Sequence, residues 1–139
     1  MLSAPLIIKK IPPKGYHIFV EGKIMGMPIR FLIDTGASKS VVDQTFAETY
    51  YKTSLITKTD HQTTGLGTNI LNSNFIRLRR IKINDQKIKS MQFALLDLKI
   101  VNEAYSQAGL GKVEAIIGGD ILKKYNCVID YKNGFISFD

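Results

Sequence analysis

Short stretches of alternating apolar and polar residues recur along the chain, and this two-residue period is typical of half-buried β-strands. Residues 16–24 and 29–33 follow it, and residues 25–28 have the composition of a turn. We therefore expect an antiparallel hairpin that ends directly before Asp34. Further strands are predicted at residues 75–83, 88–96, 115–117, 127–131 and 135–138, with a bulge expected at Arg79 and Arg80.

Three other stretches have the spacing and end signals of helices. Ser40 and Asp43 form a capping-box pattern, which predicts a helix running to about Tyr51. Residues 101–108 have helical spacing that glycines then break, and residues 120–125 carry an aspartate at the start and lysines near the end, as a helix dipole prefers. The pattern as a whole predicts a mainly β protein, residues 1–139 forming a single domain with one to three short helices.

Length and composition narrow the class of protein. A chain of 139 residues fits one domain, and its 45% hydrophobic and 22% charged residues are typical of soluble globular proteins. No apolar run is long enough to cross a bilayer. One cysteine, Cys127, and two histidines predict neither an internal disulfide nor a metal site, and no cofactor is expected.

The net charge of +7 raises the question of a nucleic-acid partner. The 19 basic residues are spread along the chain, and the tightest group, Arg77, Arg79 and Arg80, contains no aromatic stacking motif. Dispersed charge is typical of a solvated surface, so no nucleic-acid partner is predicted.

The first fifteen residues bear on location. They hold only a three-residue apolar run before Lys9 and Lys10, which is shorter than the apolar region of a secretory signal. This favours a cytoplasmic location, while a removed anchor or signal stays open.

The candidate chemistry lies in two glycine-containing motifs about eighty residues apart. In the first, an apolar stretch leads into Asp34-Thr35-Gly36, followed by Ala37 and Ser38. In the second, Ile116 and Ile117 lead into Gly118-Gly119-Asp120. Asp-Thr-Gly alone also fits an ordinary turn at a strand end, and only the pair in this order is specific.

Together the two motifs make residues 16–138 resemble the retropepsin-like aspartic proteases. The resemblance implies a retropepsin-like fold, a closed β-barrel-like half of an acid protease, with Asp34 as the catalytic residue. Thr35, Gly36, Ala37 and Ser38 would brace it, the threonine hydroxyl bonding across to a partner's loop. The remaining implied site residues are a backing element at Ile116, Ile117 and Gly118, and a flap at residues 63–69 whose tip is Gly65, Leu66 and Gly67.

The sequence departs from the retroviral pattern in three places, and the third makes it look more like the bacterial and cellular relatives. Gly119 stands where retroviral members often have an arginine, the flap has fewer glycines, and residues 97–113 are longer than in viral chains.

One Asp-Thr-Gly motif is half of an aspartic protease site, since the chemistry needs two neighbouring carboxylates that share a proton. No other aspartate begins Asp-Thr-Gly or Asp-Ser-Gly. The second Asp34 is therefore expected from another copy in a C2 homodimer that cleaves a peptide or protein substrate. The family resemblance implies an N-terminal arm, residues 1–15, and a C-terminal hairpin, residues 126–139. Residues near 1–12 and 126–139 are expected at the dimer interface.

Other readings of the same residues stay open. The fold can serve as a catalytically silent dimerisation or peptide-binding module. A hydrolase triad of Ser38 with His17 or His61 lacks the second glycine of a nucleophile elbow, and Cys127 fits a structural thiol. Val42, Ile70, Leu71 and Leu95 are candidate pocket residues that equally fit an ordinary core.

Overall fold

Strands dominate the computed structural model, which describes residues 2–13, 15–58, 63–65, 68–70 and 74–139. The strands are β1 (Leu2–Pro5), β2 (Ile7–Ile11), β3 (Gly15–Ile24), β4 (Met27–Ile33), β5 (Val41–Asp43), β6 (Ile56–Lys58), β7 (Thr63–Gly65), β8 (Thr68–Ile70), β9 (Asn74–Leu78), β10 (Ile81–Ile83), β11 (Gln86–Ile88), β12 (Met91–Leu96), β13 (Ala115–Ile117), β14 (Val128–Asp130) and β15 (Phe135–Phe138). The helices are α1 (Gln44–Tyr50), α2 (Lys99–Gln107) and α3 (Gly119–Lys124), and a 3-10 turn spans Thr53–Leu55. The mainly β class predicted from the sequence is confirmed.

The main sheet contains ten strands in the order β11-β10-β3-β4-β13-β5-β12-β9-β6, with β2 paired to β3. Most neighbours are antiparallel, but β13 runs parallel to β4, and β12 runs parallel to β5. Among the strand pairs of the described residues, β11 and β6 stand at the two ends of this order and do not pair with each other. The parallel β4–β13 pair brings the two glycine-containing motifs to the same edge of the sheet.

The β3–β4 hairpin forms where the apolar alternation predicted it. Met25 and Gly26 at its turn have φ angles of 47° and 84°, which suits the twist of a two-residue hairpin turn. Along β4, Ile29, Phe31 and Ile33 point into the core and are buried. Each such side chain contributes about 1.5–3 kcal/mol relative to leaving it in water. The hairpin is therefore a firm support for the residue that follows it, Asp34.

A second, smaller core lies beneath α2. Tyr105 of α2 packs edge-on against Phe19 of β3, with ring centroids 5.3 Å apart, and Val113 completes the buried group. The side chain of Asn102 donates to the backbone oxygen of Val113 at 3.0 Å and accepts from its N–H at 2.8 Å. This clamp holds α2 against the segment that leads into β13.

Three predicted elements differ from the structure. The strand expected at residues 88–96 is interrupted, since Ile88 ends β11 and β12 begins at Met91. The helix expected to begin near Ser40 is preceded by strand β5, and its N-cap is Asp43, whose side chain accepts from the N–H of Phe46 at 3.0 Å. Ser40 does not cap the helix; it is buried and forms hydrogen bonds with Gly118 and Asp120. The strand predicted at residues 75–83 divides into β9 and β10, because Arg80 adopts a φ of 51° that ends the ladder.

The chain termini form a separate sheet in the order β1-β15-β14, which we call the terminal sheet. β1 pairs antiparallel with β15 from Leu2 opposite Phe138 to Pro5 opposite Phe135. Thus the first and last strands pair with each other inside one chain. Among the helices of the described ranges, none is long and apolar enough to span a membrane.

Candidate active site

Asp34 follows the last residue of β4, in a loop held by backbone hydrogen bonds. The backbone N–H of Asp34 donates to the backbone oxygen of Ile117 at 3.0 Å, and the backbone oxygen of Asp34 accepts from the N–H of Ala37 at 3.1 Å. The carboxylate accepts at Oδ1 from the N–H of Gly36, also at 3.0 Å. The loop therefore fixes the backbone of Asp34 while its side chain stays exposed.

The second motif packs directly against this loop. Gly119 donates its N–H to the oxygen of Ala37 at 2.7 Å. A Cβ at Gly118 would lie 2.7 Å from the oxygen of Ala37 and 2.9 Å from the carbonyl carbon of Lys39. No side chain fits there without moving backbone, so the close approach of the two motifs requires glycine at position 118.

Ser40 links the Asp34 loop to the second motif through hydrogen bonds. It is fully buried, and its hydroxyl donates to Oδ1 of Asp120 at 2.7 Å while accepting from the N–H of Gly118 at 2.9 Å. Its backbone N–H lies 3.0 Å from both carboxylate oxygens of Asp120. The sequence pattern predicted Ser40 at a helix start and Asp120 at a helix N-terminus. It did not indicate this contact, because the two residues are 80 positions apart.

The Asp34 carboxylate opens onto a cleft of about 420 Å³ at one end of the sheet. Its lining includes Leu32, Ile33 and Thr35 beside Asp34, His17 from β3, and Ile129 and Tyr131 from the C-terminal hairpin. Asp34 is the one carboxylate among the described residues that line it. The described part of one chain therefore presents one acid to a mixed apolar and polar cleft.

A family model described as aspartyl protease matches residues 20–121, which is more than half of the chain. The chain belongs to the aspartyl protease family.

Two solved structures identify the fold within this aspartyl protease family. The chain is similar to a retropepsin-like aspartic protease from Rickettsia conorii, with 15% identity and a TM-score of 0.55, over 97% of this chain and 86% of the other. It is also similar to the retroviral protease-like domain of Ddi1 from Leishmania major, with 19% identity and a TM-score of 0.58, over 87% of this chain and 84% of the other. These likenesses show the fold, and they confirm the resemblance that the two motifs indicated.

The expected flap is described only in part. The strands β7 and β8 pair antiparallel, with Gly65 opposite Thr68. Leu66 and Gly67, the other two residues predicted at the flap tip, lie outside the described residues, as do Leu71 and His61 of the other predictions.

The remaining candidate residues have ordinary structural positions. Val42 and Leu95, considered as pocket residues, are almost fully buried in the core. Burial raises the pKa of the half-buried Cys127 thiol to about 11, which keeps it protonated and unreactive at neutral pH. Ser38 is exposed beside the loop, while His17 hydrogen-bonds through Nδ1 to the hydroxyl of Tyr105.

Proposed function

We propose that the chain is an aspartic endopeptidase that acts as a homodimer, in which Asp34 of each copy supplies one of the two carboxylates. One observation carries the proposal. Hydrogen bonds fix the backbone of Asp34, its side chain is exposed at a cleft, and the described residues that line this cleft include no second acid. Thr35 and Gly36 hold the turn, and Ile116, Ile117 and Gly118 support it from behind. Membership of the aspartyl protease family supports the same chemistry.

The mechanism follows from two carboxylates held about 3 Å apart, which cannot both ionise and so share one proton. The ionised carboxylate takes a proton from a water molecule, which attacks the carbonyl carbon of the scissile peptide. The protonated partner donates to the carbonyl oxygen as the tetrahedral intermediate forms. The first carboxylate then gives the proton it took from water to the peptide nitrogen, the C–N bond breaks, and a hydroxyl of the intermediate returns its proton to the partner carboxylate as the new carboxylic acid forms. Activity is expected to favour acidic to mildly acidic conditions and to fall once both carboxylates are ionised, because the proton donor is then lost.

The dimer interface and substrate contacts belong to the same proposal. Residues near 1–12 and 126–139 contribute to the interface, where the terminal sheet presents several exposed apolar side chains. The flap predicted at residues 63–69 covers a peptide or protein substrate.

The test is digestion of a mixed peptide library by the purified protein, read by mass spectrometry across pH. Asp34→Asn is expected to lower cleavage by at least about a hundredfold, since it removes the shared acid–base pair. Asp85→Asn is the matched control, because Asp85 lies in the exposed turn between β10 and β11. Undiminished cleavage by Asp34→Asn would contradict the assignment. Binding of peptides without cleavage by the wild type would favour the silent peptide-binding module instead.

A further inference from the structure

His17 and Tyr105 form a polar pair beside the cleft that the catalytic proposal leaves unexplained. Nδ1 of His17 lies 2.8 Å from the hydroxyl of Tyr105, and the two rings meet edge-on with centroids 5.5 Å apart. His17 and Asp34 both line the same cleft.

Tyr105 determines which nitrogen of the neutral His17 ring carries the proton. Its side chain is 3% exposed, and burial raises its pKa, with a further rise from the negative charge of Asp34. The phenol consequently keeps its proton and needs an acceptor, because an unpaired buried donor costs about 1–3 kcal/mol. Among residues whose side chains are described, Nδ1 of His17 is the one partner of the hydroxyl.

This arrangement assigns the tautomer of the neutral ring. If Tyr105 donates to Nδ1, the proton of neutral His17 is on Nε2. In the protonated ring both nitrogens carry hydrogen, and the phenol oxygen accepts from Nδ1 instead. Nε2 is thus a hydrogen-bond donor in both charge states of the ring, and the described residues provide no acceptor for it.

We propose that His17 is a substrate-recognition residue, oriented by Tyr105, that donates from Nε2 to a side-chain oxygen of the peptide bound beside Asp34. This inference rests on the proposed function and deepens it. The recognised class is a peptide with a carboxamide or carboxylate side chain next to the cut. Tyr105 is a positioning residue, because it acts through His17 and comes from α2, within the segment that is longer than in viral chains.

The test compares peptide pairs that differ by glutamine or methionine, which are similar in length, at each position near a cut site found in the digest. The wild type is expected to prefer glutamine at one position by about three- to tenfold in kcat/KM, the effect of one net hydrogen bond. The preference should arise in KM, because the bond forms in the bound substrate.

Variants separate recognition from support of the fold. His17→Phe removes the donor and should bring the ratio close to one, whereas His17→Gln keeps an N–H near the Nε2 position and should retain part of it. Tyr105→Phe should give an intermediate ratio, because the ring is then free to change tautomer. Asn102→Ala loosens α2 at another clamp and should lower the melting temperature while keeping the preference. An unchanged ratio in His17→Phe would overturn the inference and leave the proposed protease function intact.

A binding measurement keeps the inference testable if the wild type cleaves nothing and the proposed function fails. In Asp34→Asn, the ring nitrogens of His17 are followed by NMR during titration with the glutamine and methionine peptides, and His61→Gln assigns the two histidines. Tighter binding of the glutamine peptide with a shift at Nε2 supports the inference. Equal binding of both peptides, or no shift at His17, overturns it.

Discussion

Ser40 is a buried hydroxyl whose partners all belong to the second glycine motif and the helix after it. Asp120 accepts from both its hydroxyl and its backbone N–H. Asp120→Ala would leave two buried donors without acceptors and is expected to lower the free energy of unfolding by about 2–4 kcal/mol. Urea denaturation at neutral pH measures the change.

A matched variant at the same position tests the cause of that loss. Asp120→Asn keeps an oxygen that can accept from Ser40, so it should lose less than half as much stability as Asp120→Ala. Equal losses would show that the charge of Asp120, rather than its acceptor oxygen, supports the loop.

The contrast between Asp34 and Ser40 shows what could be predicted at this scale. Asp34 could be proposed as a site residue because its neighbours in sequence, the apolar stretch before it and the glycine after it, carry the signal. Ser40 was misassigned to a helix cap because its partners are about eighty positions away. His17 was likewise read only as a member of a triad, since its contact with Tyr105 spans 88 positions. Side-chain contacts between distant segments leave no local pattern to read.

At the scale of elements, the junction of the two active-site motifs depends on Gly118. Gly118→Ala places a Cβ against the backbone of Ala37 and Lys39. We expect a loss of about 1–3 kcal/mol in unfolding free energy. Cleavage should also fall, because the loop carrying Asp34 must shift.

The adjacent glycine provides the control. A Cβ at Gly119 would lie 3.5 Å from the oxygen of Ala37, an ordinary contact, and position 119 begins α3. Gly119→Ala should therefore be neutral or slightly stabilising. Denaturation and peptide cleavage of both variants provide the measurement, and a similar effect at the two positions would refute the steric explanation.

A second prediction at this scale concerns the link between β4 and β13. Oε1 of Glu114 accepts from the N–H of Arg30 at 2.9 Å, yet burial raises the pKa of Glu114 despite nearby Arg30 and Lys112. A raised folded-state pKa favours folding at low pH, and this contribution is lost as pH rises through the folded pKa. Glu114→Gln keeps the acceptor without the charge. It should match the wild type near pH 3.5, below the unfolded Glu value of about 4.3.

At pH 7 the same variant should be more stable than the wild type, by less than about 1 kcal/mol because Glu114 is half-buried and solvent screens its charge. Urea denaturation at the two pH values tests the difference. A wild type that is the more stable of the two at pH 7 would mean that attraction from Arg30 and Lys112 outweighs burial.

Elements with strong local signals were predicted well. The β3–β4 hairpin, β13, α3 and the β14–β15 hairpin all lie within one or two residues of the expected positions. The errors occurred where distant contacts or backbone angles dominate, as at β5 and at Arg80, whose positive φ is not encoded by its residue type. The terminal β1–β15 pair joins opposite ends of the chain, so no short pattern could indicate it.

At the scale of the whole molecule, the terminal sheet bears on how two copies can meet. Because β1 already pairs with β15 of its own chain, a dimer that keeps these pairs must use the free edges or the exposed face of the sheet. That sheet and its hairpin expose several large apolar side chains, namely Leu2, Val128, Tyr131 and Phe135. Ile129 and Tyr131 also line the Asp34 cleft, so the terminal sheet adjoins the proposed shared site.

Val128 is the position from which the proposed dimer is best tested. It lies in the edge strand β14 and is 57% exposed in the single chain. In a C2 dimer each substitution occurs twice, and a lysine in place of a buried valine loses about 1.5–3 kcal/mol of burial at each copy. Val128→Lys should therefore weaken dimerisation by about a hundredfold or more. Cleavage should become dependent on protein concentration although Asp34 is intact.

Ile100→Lys is the matched control, because Ile100 is 81% exposed on α2, outside the terminal sheet. Sedimentation equilibrium and cleavage rates over a range of concentrations measure both variants, and Ile100→Lys should behave as the wild type. Recovery of cleavage by Val128→Lys at high concentration would identify association as the defect, since two intact Asp34 carboxylates then meet again. A fully active monomer, or a Val128→Lys protein that dimerises as tightly as the wild type, would refute an interface at this edge.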